Sequence, residues 1–292
     1  MKLYSQTSIL MNVQKINFKA ANAPQLFQQS LQETGFAVLV DHPIAEVQIQ
    51  QLYQNWKSFF ESDDKENYLL KRETQEGYVP PSIAEIAKGY DVRDLKAFYN
   101  YYPWGICPPD LKALTQPIYD QLRSTAETLL GWLDHHTPHE VQKNFIMPLT
   151  EMIKGSDNTL FRINYYPPLS GQEEQGALRA AAHEDIDLLT VLTAGTESGL
   201  QVRDLQGNWH DVPCDPGNLV INAGDMLQEC SQGFYPSTTH RVLKPQGVAA
   251  KIARLSCPLF LHPLSEVALS ERYTAGSYYL ERMREIGLME KV

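Results

Sequence analysis

Near residue 158 the spacing of apolar residues changes from a helical period to a period of two, and no other feature restricts the fold as strongly. Beyond that point, segments 159–166, 187–194, 199–204, 208–213, 218–222, 238–244 and 252–262 read as strands. Turn signals at Gln206-Gly207-Asn208, Asp215-Pro216-Gly217 and Gly224-Asp225 separate several of them. So many short strands at this spacing predict two packed sheets, as in a sandwich or jelly roll.

The first half reads differently. Pro24–Thr34 is a short helix stopped by Gly35, and Phe36–Val40 is a buried strand ended by Asp41-His42-Pro43. Apolar residues at 44, 47, 52, 56 and 59 predict a helix that buries Trp56 and Phe59. Residues 63–103, rich in charge, tyrosine and proline, read as irregular. Leu111, Leu114, Ile118, Leu122, Thr125, Leu129 and Leu133 mark a long amphipathic helix, in which Pro117 predicts a kink or a later start. Ser277–Met289 predicts a charged closing helix. The expected organisation is a helical or mixed region over 1–157, packed on a β core with a C-terminal helix over 158–292, as one integrated unit.

With 43% hydrophobic and 21% charged residues, the 292-residue chain has the balance of a globular protein. Its net charge of −10 and lack of a basic block argue against nucleic acid or an anionic membrane as partner, although a local pocket can still take an anion. No apolar run approaches the ~20 residues that cross a bilayer, and Met1-Lys2-Leu3-Tyr4-Ser5-Gln6 lacks a signal-peptide core. Cys107, Cys214, Cys230 and Cys257 are scattered and read as free thiols of a reducing cytoplasm. The expectation is a cytoplasmic monomer acting on a small molecule.

Chemistry concentrates in the β half. His183 and Asp185 are two residues apart, which on an extended strand puts both on one side, where a metal ion could take both. Such a triplet also arises by chance and needs context. His240, in Ser237-Thr238-Thr239-His240-Arg241-Val242, supplies it. Two histidines and one carboxylate on rigid strands leave three octahedral positions open, which suits non-haem Fe(II); zinc more often keeps one open tetrahedral position. Arg254 and Ser256 share one face of the last predicted strand, and an arginine inside a barrel requires an anion, which a guanidinium and a hydroxyl would receive as a carboxylate. Arg162, Asn164 and Tyr166 share a face of the first, lining either a polar pocket or the solvent side. A rival cluster, His135, His136 and His139, is interrupted by Pro138 and reads as a surface connection.

The motifs, taken together, resemble the isopenicillin N synthase-like branch of the Fe(II)/2-oxoglutarate-dependent dioxygenases. The resemblance runs from Gly35-Phe36 through Asp41-His42-Pro43-Ile44, with proline where the family usually has glycine, then Glu76-Gly77-Tyr78-Val79-Pro80 and Asp94–Phe98. It continues through Asn164-Tyr165-Tyr166-Pro167-Pro168, His183-Glu184-Asp185, Asn222-Ala223-Gly224-Asp225, His240-Arg241-Val242 and Arg254-Leu255-Ser256. It implies a mainly β protein with a helical N-terminal half and a distorted double-stranded β-helix core. It implies Fe(II) on His183, Asp185 and His240, with 2-oxoglutarate as cosubstrate and dioxygen as oxidant. The far carboxylate of 2-oxoglutarate would lie on Arg254 and Ser256, assisted by Tyr166 and Asn164. The implied reaction couples oxidative decarboxylation of 2-oxoglutarate to hydroxylation, desaturation or ring closure of a small molecule. An iron oxidase of the same branch that uses no 2-oxoglutarate is the alternative, since its Arg-x-Ser pair receives a substrate carboxylate instead. A cupin-like metal-binding module or isomerase, and a zinc hydrolase, stand further off. Arg93, Lys96, Phe98, Tyr99 and Tyr101 are the candidate substrate contacts.

Overall fold

The computed structural model describes residues 11–83 and 92–285. The N-terminal part forms β1 (Lys15–Asn17), α1 (Ala23–Thr34), β2 (Phe36–Val40), α2 (Glu46–Glu61), β3 (Gly77–Val79), β4 (Ala97–Tyr101), the long α3 (Pro109–His136), and the short α4 (His139–Gln142) and α5 (Leu149–Met152). There follow β5 (Leu160–Tyr166), β6 (Ala180–His183), β7 (Leu189–Thr193), β8 (Leu200–Arg203), β9 (Trp209–Asp211), β10 (Leu219–Ala223), α6 (Asp225–Cys230), β11 (His240–Val242), β12 (Arg254–Leu261) and α7 (Ala275–Glu285).

The strands make an 8-stranded sheet, ordered β1-β2-β10-β7-β12-β5-β4-β3, and a 4-stranded sheet, ordered β6-β11-β8-β9. From β5 to β12 the chain passes back and forth between the two sheets, which is the expected distorted double-stranded β-helix. Period two gives each large-sheet strand two destinations. Leu189 and Val191 of β7 join Leu31, Trp56 and Leu129 in a core under the helices. Val38 and Val220 point the other way and meet Ala180, Val202 and Val242 of the small sheet. The large sheet therefore lies between a helical layer and the small sheet.

Four local features differ from expectation. Residues 63–103 contain β3 and β4, and β4 pairs with β5 to extend the large sheet. Every residue of β4 is buried, so the segment lacks the polar–apolar alternation that reveals a half-exposed strand. Helix α3 starts at Pro109 and runs through Pro117, earlier than the proline suggested. Val47 is 57% exposed, against the helical phase, while Trp56 and Phe59 are buried as expected. The closing helix begins at Ala275, and its predicted last turn, 286–289, lies outside the described residues.

One turn bears directly on the site. Gly35 ends α1 with φ 70 and donates its N–H to Leu31 O. A Cβ there would also lie 2.4 Å from both Pro236 O and Thr238 Oγ1. Thr238 Oγ1 donates to Thr34 O at 2.9 Å, so the α1–β2 turn is fastened to the segment leading into β11. Only glycine satisfies both the positive φ and the close approach.

Candidate active site

A cavity of about 790 Å³ opens between the sheets, and His183, Asp185, His240, Asn164, Tyr166, Arg254 and Ser256 all line it. His183 is the last residue of β6 and His240 the first of β11, and the two stand opposite each other in an antiparallel register. Asp185 is not on the strand with His183, as the spacing suggested, but in the connection to β7. The chain turns after β6, and Asp185 still reaches the histidines. Its Oδ1 lies 3.6 Å from His183 Nε2 and 3.7 Å from His240 Nε2.

The hydrogen bonds around the trio determine which atoms are free. His183 Nδ1 lies 2.7 Å from Ala181 O and His240 Nδ1 3.2 Å from Thr238 O. A carbonyl only accepts, so each Nδ1 carries a proton, and in the neutral ring it is Nε2 that presents the lone pair. Burial pulls the His240 pKa below its ordinary value, against the charge of Asp185, which keeps the ring neutral. Burial alone would raise the Asp185 pKa, but His240, His183, Thr190 and Asn222 together bring it below the usual value. Two imine nitrogens and one carboxylate oxygen thus lie within 4.8 Å of one another. Left alone they repel; a divalent cation resolves that repulsion, and the donor set fits iron.

Thr190 and Asn222 are not among the site residues expected from the sequence. Asn222 Nδ2 donates to Asp185 Oδ2 at 2.8 Å. Thr190 Oγ1 lies 2.6 Å from Asp185 Oδ2 and 3.0 Å from Asp187 Oδ2. A hydroxyl has one proton, so one of these carboxyls must hold a hydrogen. It is Asp187, whose pKa burial and then the Asp185 charge raise well above the ordinary range. Thr190 and Asn222 alternate with core residues on β7 and β10, the one signal that could have found them. Glu184 is exposed and accepts from Thr239 Oγ1 rather than joining the trio. The His135, His136 and His139 cluster does not converge: His135 and His136 bond to carbonyls of their own helix, and among the described residues only the His183, Asp185 and His240 group could hold a metal.

The register of β12 on β5 sets Arg254 opposite Tyr166 and Ser256 opposite Asn164. Arg254 is 1% exposed. Its Nη1 donates to Ser256 Oγ at 3.0 Å and its Nε to Glu197 O at 2.9 Å, and its guanidinium lies 5.1 Å from the Tyr166 ring centre. No carboxylate pairs with it among the described residues, and Asn164 Oδ1 is buried without a partner. A buried guanidinium without a counter-charge is costly, so the arrangement fits an incoming carboxylate.

The substrate-side candidates divide by strand face. Lys96 and Phe98 line the cavity, as do Asn100 and Tyr102, which the sequence reading did not name. Tyr99 and Tyr101 face the opposite core, where their hydroxyls donate to Ile106 O at 2.7 Å and Gln116 Oε1 at 2.6 Å. Arg93 is exposed and outside the lining. The alternation of β4 turns Tyr99 and Tyr101 away from the cavity, and Arg93 precedes the strand, so none of the three lines it. Arg162, Asn164 and Tyr166 face the cavity and not solvent, and Arg162 stacks 4.2 Å from the Phe98 ring centre.

Comparison with known proteins agrees with this geometry. Residues 158–263 match the 2OG-Fe(II) oxygenase superfamily, and residues 15–120 match the N-terminal region of the non-haem dioxygenase in morphine synthesis. An assumed oxygenase from Shewanella oneidensis, solved by crystallography, is 46% identical, with 95% of this chain and 100% of that one covered and a TM-score of 0.86. The chain belongs to the 2OG-Fe(II) oxygenase superfamily. The flavonol synthase/flavanone 3-hydroxylase of Petunia hybrida is 29% identical over 83% of this chain and 70% of its own length. Neurospora crassa T7H, crystallised with 2-oxoglutarate, shares the fold at 20% identity, with 92% and 95% of the two chains covered and a TM-score of 0.74.

This superfamily member is therefore a non-haem iron dioxygenase that uses Fe(II) and 2-oxoglutarate to oxidise a small molecule with dioxygen. The readings without 2-oxoglutarate, or as a cupin-like module, are not favoured by these relatives. Among the described residues no helix is long and apolar enough to cross a membrane.

Proposed function

We propose that His183, Asp185 and His240 hold the iron, that Arg254 and Ser256 receive the far carboxylate of 2-oxoglutarate with Tyr166 and Asn164 beside it, and that Lys96 and Phe98 contact the substrate. One observation carries the reading: three metal-ready lone pairs and a buried, uncompensated guanidinium open onto the same cavity. When bound, iron and 2-oxoglutarate supply a two-electron oxidant, with succinate and carbon dioxide as co-products. The chain's own groups prepare for this. Thr190 and Asn222 occupy Asp185 Oδ2, leaving Oδ1 for the metal. His183, Asp185 and His240 would hold the ion through three donors, and such a set would leave positions open for the reactants.

Phe98, Tyr102 and Phe260 offer apolar surface, while Lys96, Asn100 and Arg162 bring polar nitrogen to the same wall. That combination supports a substrate with a flat or apolar body and an acceptor-bearing group. In this reading residues 1–157 bring Lys96, Phe98, Asn100 and Tyr102 to the substrate wall, and 158–292 form the iron core and add Arg162 and Phe260, as one unit. The four free cysteines support a reducing, cytoplasmic location, and the absence of a basic block supports a small-molecule enzyme, working as a monomer, rather than a nucleic-acid binder.

The test is an anaerobic titration of metal-free protein with Fe(II) and then 2-oxoglutarate, followed by admission of dioxygen. A visible charge-transfer band should form and succinate should be released. Alanine at His183, Asp185 or His240 should remove the band. Failure of the wild type to form it would sink the assignment.

A further inference from the structure

A second buried arginine stands behind the Arg254 site. Arg179 immediately precedes β6, the strand that ends in His183, and is 1% exposed. Its Nη2 donates to Ile252 O at 2.8 Å, while its Nε is buried with no partner. No carboxylate pairs with it among the described residues. Glu197 acts on it favourably from beyond ion-pair distance, and burial and then the charge of Arg254 lower its pKa. The guanidinium stays protonated in any case. Arg179 lies 5.9 Å from the ring centre of Tyr166, and Arg254 lies 5.1 Å from the same ring. One tyrosine thus serves two buried cations, of which Arg254 lines the cavity and Arg179 does not.

Two adjacent buried positive charges are unfavourable unless an anion joins them. A single hydrogen bond to Ile252 O needs no permanent charge, since a neutral amide would serve. The charge is what remains to be explained. Resting on the assignment of Arg254 and Ser256 above, we propose that Arg179 is a positioning residue for 2-oxoglutarate: from behind Tyr166 it supplies a second fixed cation that, with Arg254, selects an oxo acid carrying a distal carboxylate. It acts through the potential at the site and through the orientation of Tyr166, without touching the ligand.

The test compares 2-oxoglutarate with 2-oxopentanoate, an oxo acid of equal chain length that ends in a methyl group, by anaerobic titration of the Fe(II) enzyme. Arg179→Gln should weaken 2-oxoglutarate about tenfold, raising its KM with kcat retained, and leave 2-oxopentanoate within about twofold. Arg179→Lys should restore most of the loss. Equal weakening of both acids, no weakening of 2-oxoglutarate, or failure of lysine to restore it would overturn the proposal and reduce Arg179 to a clamp on Ile252. Arg254→Gln separates this from the parent assignment. If Arg254→Gln leaves 2-oxoglutarate binding intact, the parent fails; if it abolishes binding while Arg179→Gln changes nothing, only the present inference fails. Should the Arg179 variants not fold, a crystal structure of the wild type with Mn(II) and 2-oxoglutarate decides. Arg179 without a carboxylate or chloride of its own supports the proposal, and Glu197 or chloride seated on its Nε overturns it.

Discussion

Gly195→Ala tests the Arg254 site without altering any charge. Gly195 lies in the connection between β7 and β8, and a Cβ there would stand 2.5 Å from Arg254 Nη2, 2.8 Å from Cζ and 3.1 Å from Nε, where ordinary contact begins at 3.4 Å. The backbone has little freedom to yield. Ala194 N donates to Asn218 O at 3.0 Å, Thr196 N to Leu255 O at 3.0 Å, and Leu255 N to Thr196 Oγ1 at 3.1 Å. The guanidinium must therefore retreat by ~1 Å, and overpacking of this kind costs about 1–3 kcal/mol of stability. A hydrogen bond to a charged group contributes about 1.5–3 kcal/mol, so losing its geometry should weaken 2-oxoglutarate by about 10- to 100-fold. Iron binding should persist, because the metal trio is untouched. The assay is anaerobic titration of the Fe(II) enzyme with 2-oxoglutarate, alongside thermal melts. Gly131→Ala serves as control: its nearest neighbour would be 3.9 Å away, and alanine should stabilise the helix by about 0.5–1 kcal/mol with no effect on the ligand. Unchanged 2-oxoglutarate affinity in Gly195→Ala, with the melting temperature lowered as expected, would refute the placement of the distal carboxylate on Arg254.

Further outcomes follow from the same geometry. Asp185→Ala should abolish iron binding, measured by metal content after anaerobic loading, whereas Glu184→Ala should leave it intact because Glu184 is exposed and serves Thr239. Thr190→Val and Asn222→Ala free Asp185 Oδ2, and each should lower iron affinity about 10- to 100-fold in competition with a chelator. Burial lowers the His262 pKa from 6.5 to about 4, so between these values the unfolded state binds the extra proton and stability falls as pH falls. That group's share is about 3–4 kcal/mol by the usual 1.36 kcal/mol per unit. His262→Gln should flatten the loss of stability from pH 6.5 to 4 in urea melts; an unchanged slope would rule this out.

How much was legible in the sequence depends on where each group's partner lies. Arg254 with Ser256, and Arg162 with Asn164 and Tyr166, could be read as shared faces because period two is local. That the two faces meet, Arg254 on Tyr166 and Ser256 on Asn164, depends on a register between distant segments. His183 and Asp185 do come together, but across a turn of the chain and not along the straight strand that their spacing suggested. In β4 neither the strand nor which residues face the cavity could be seen, since Phe98 and Tyr99 are both aromatic and both buried. Thr190 and Asn222 show only as polar residues alternating with apolar ones, and Arg179 shows not even that, because their roles come from neighbours brought close by folding.

The glycine turn at the start of β2 has a consequence for engineering. Phe36 packs edge-on against His240 at 5.5 Å between ring centres, and Thr34 O receives the hydroxyl of Thr238. The immediate surroundings of a metal-ligand candidate thus come from residues 34–36, far upstream of the iron core. Chimeras that redirect substrate choice by exchanging part of the N-terminal half should begin the exchanged segment after Val40, so that 34–36 stay native to the recipient. A segment that began before residue 34 would import a foreign neighbour for His240 along with the new substrate wall.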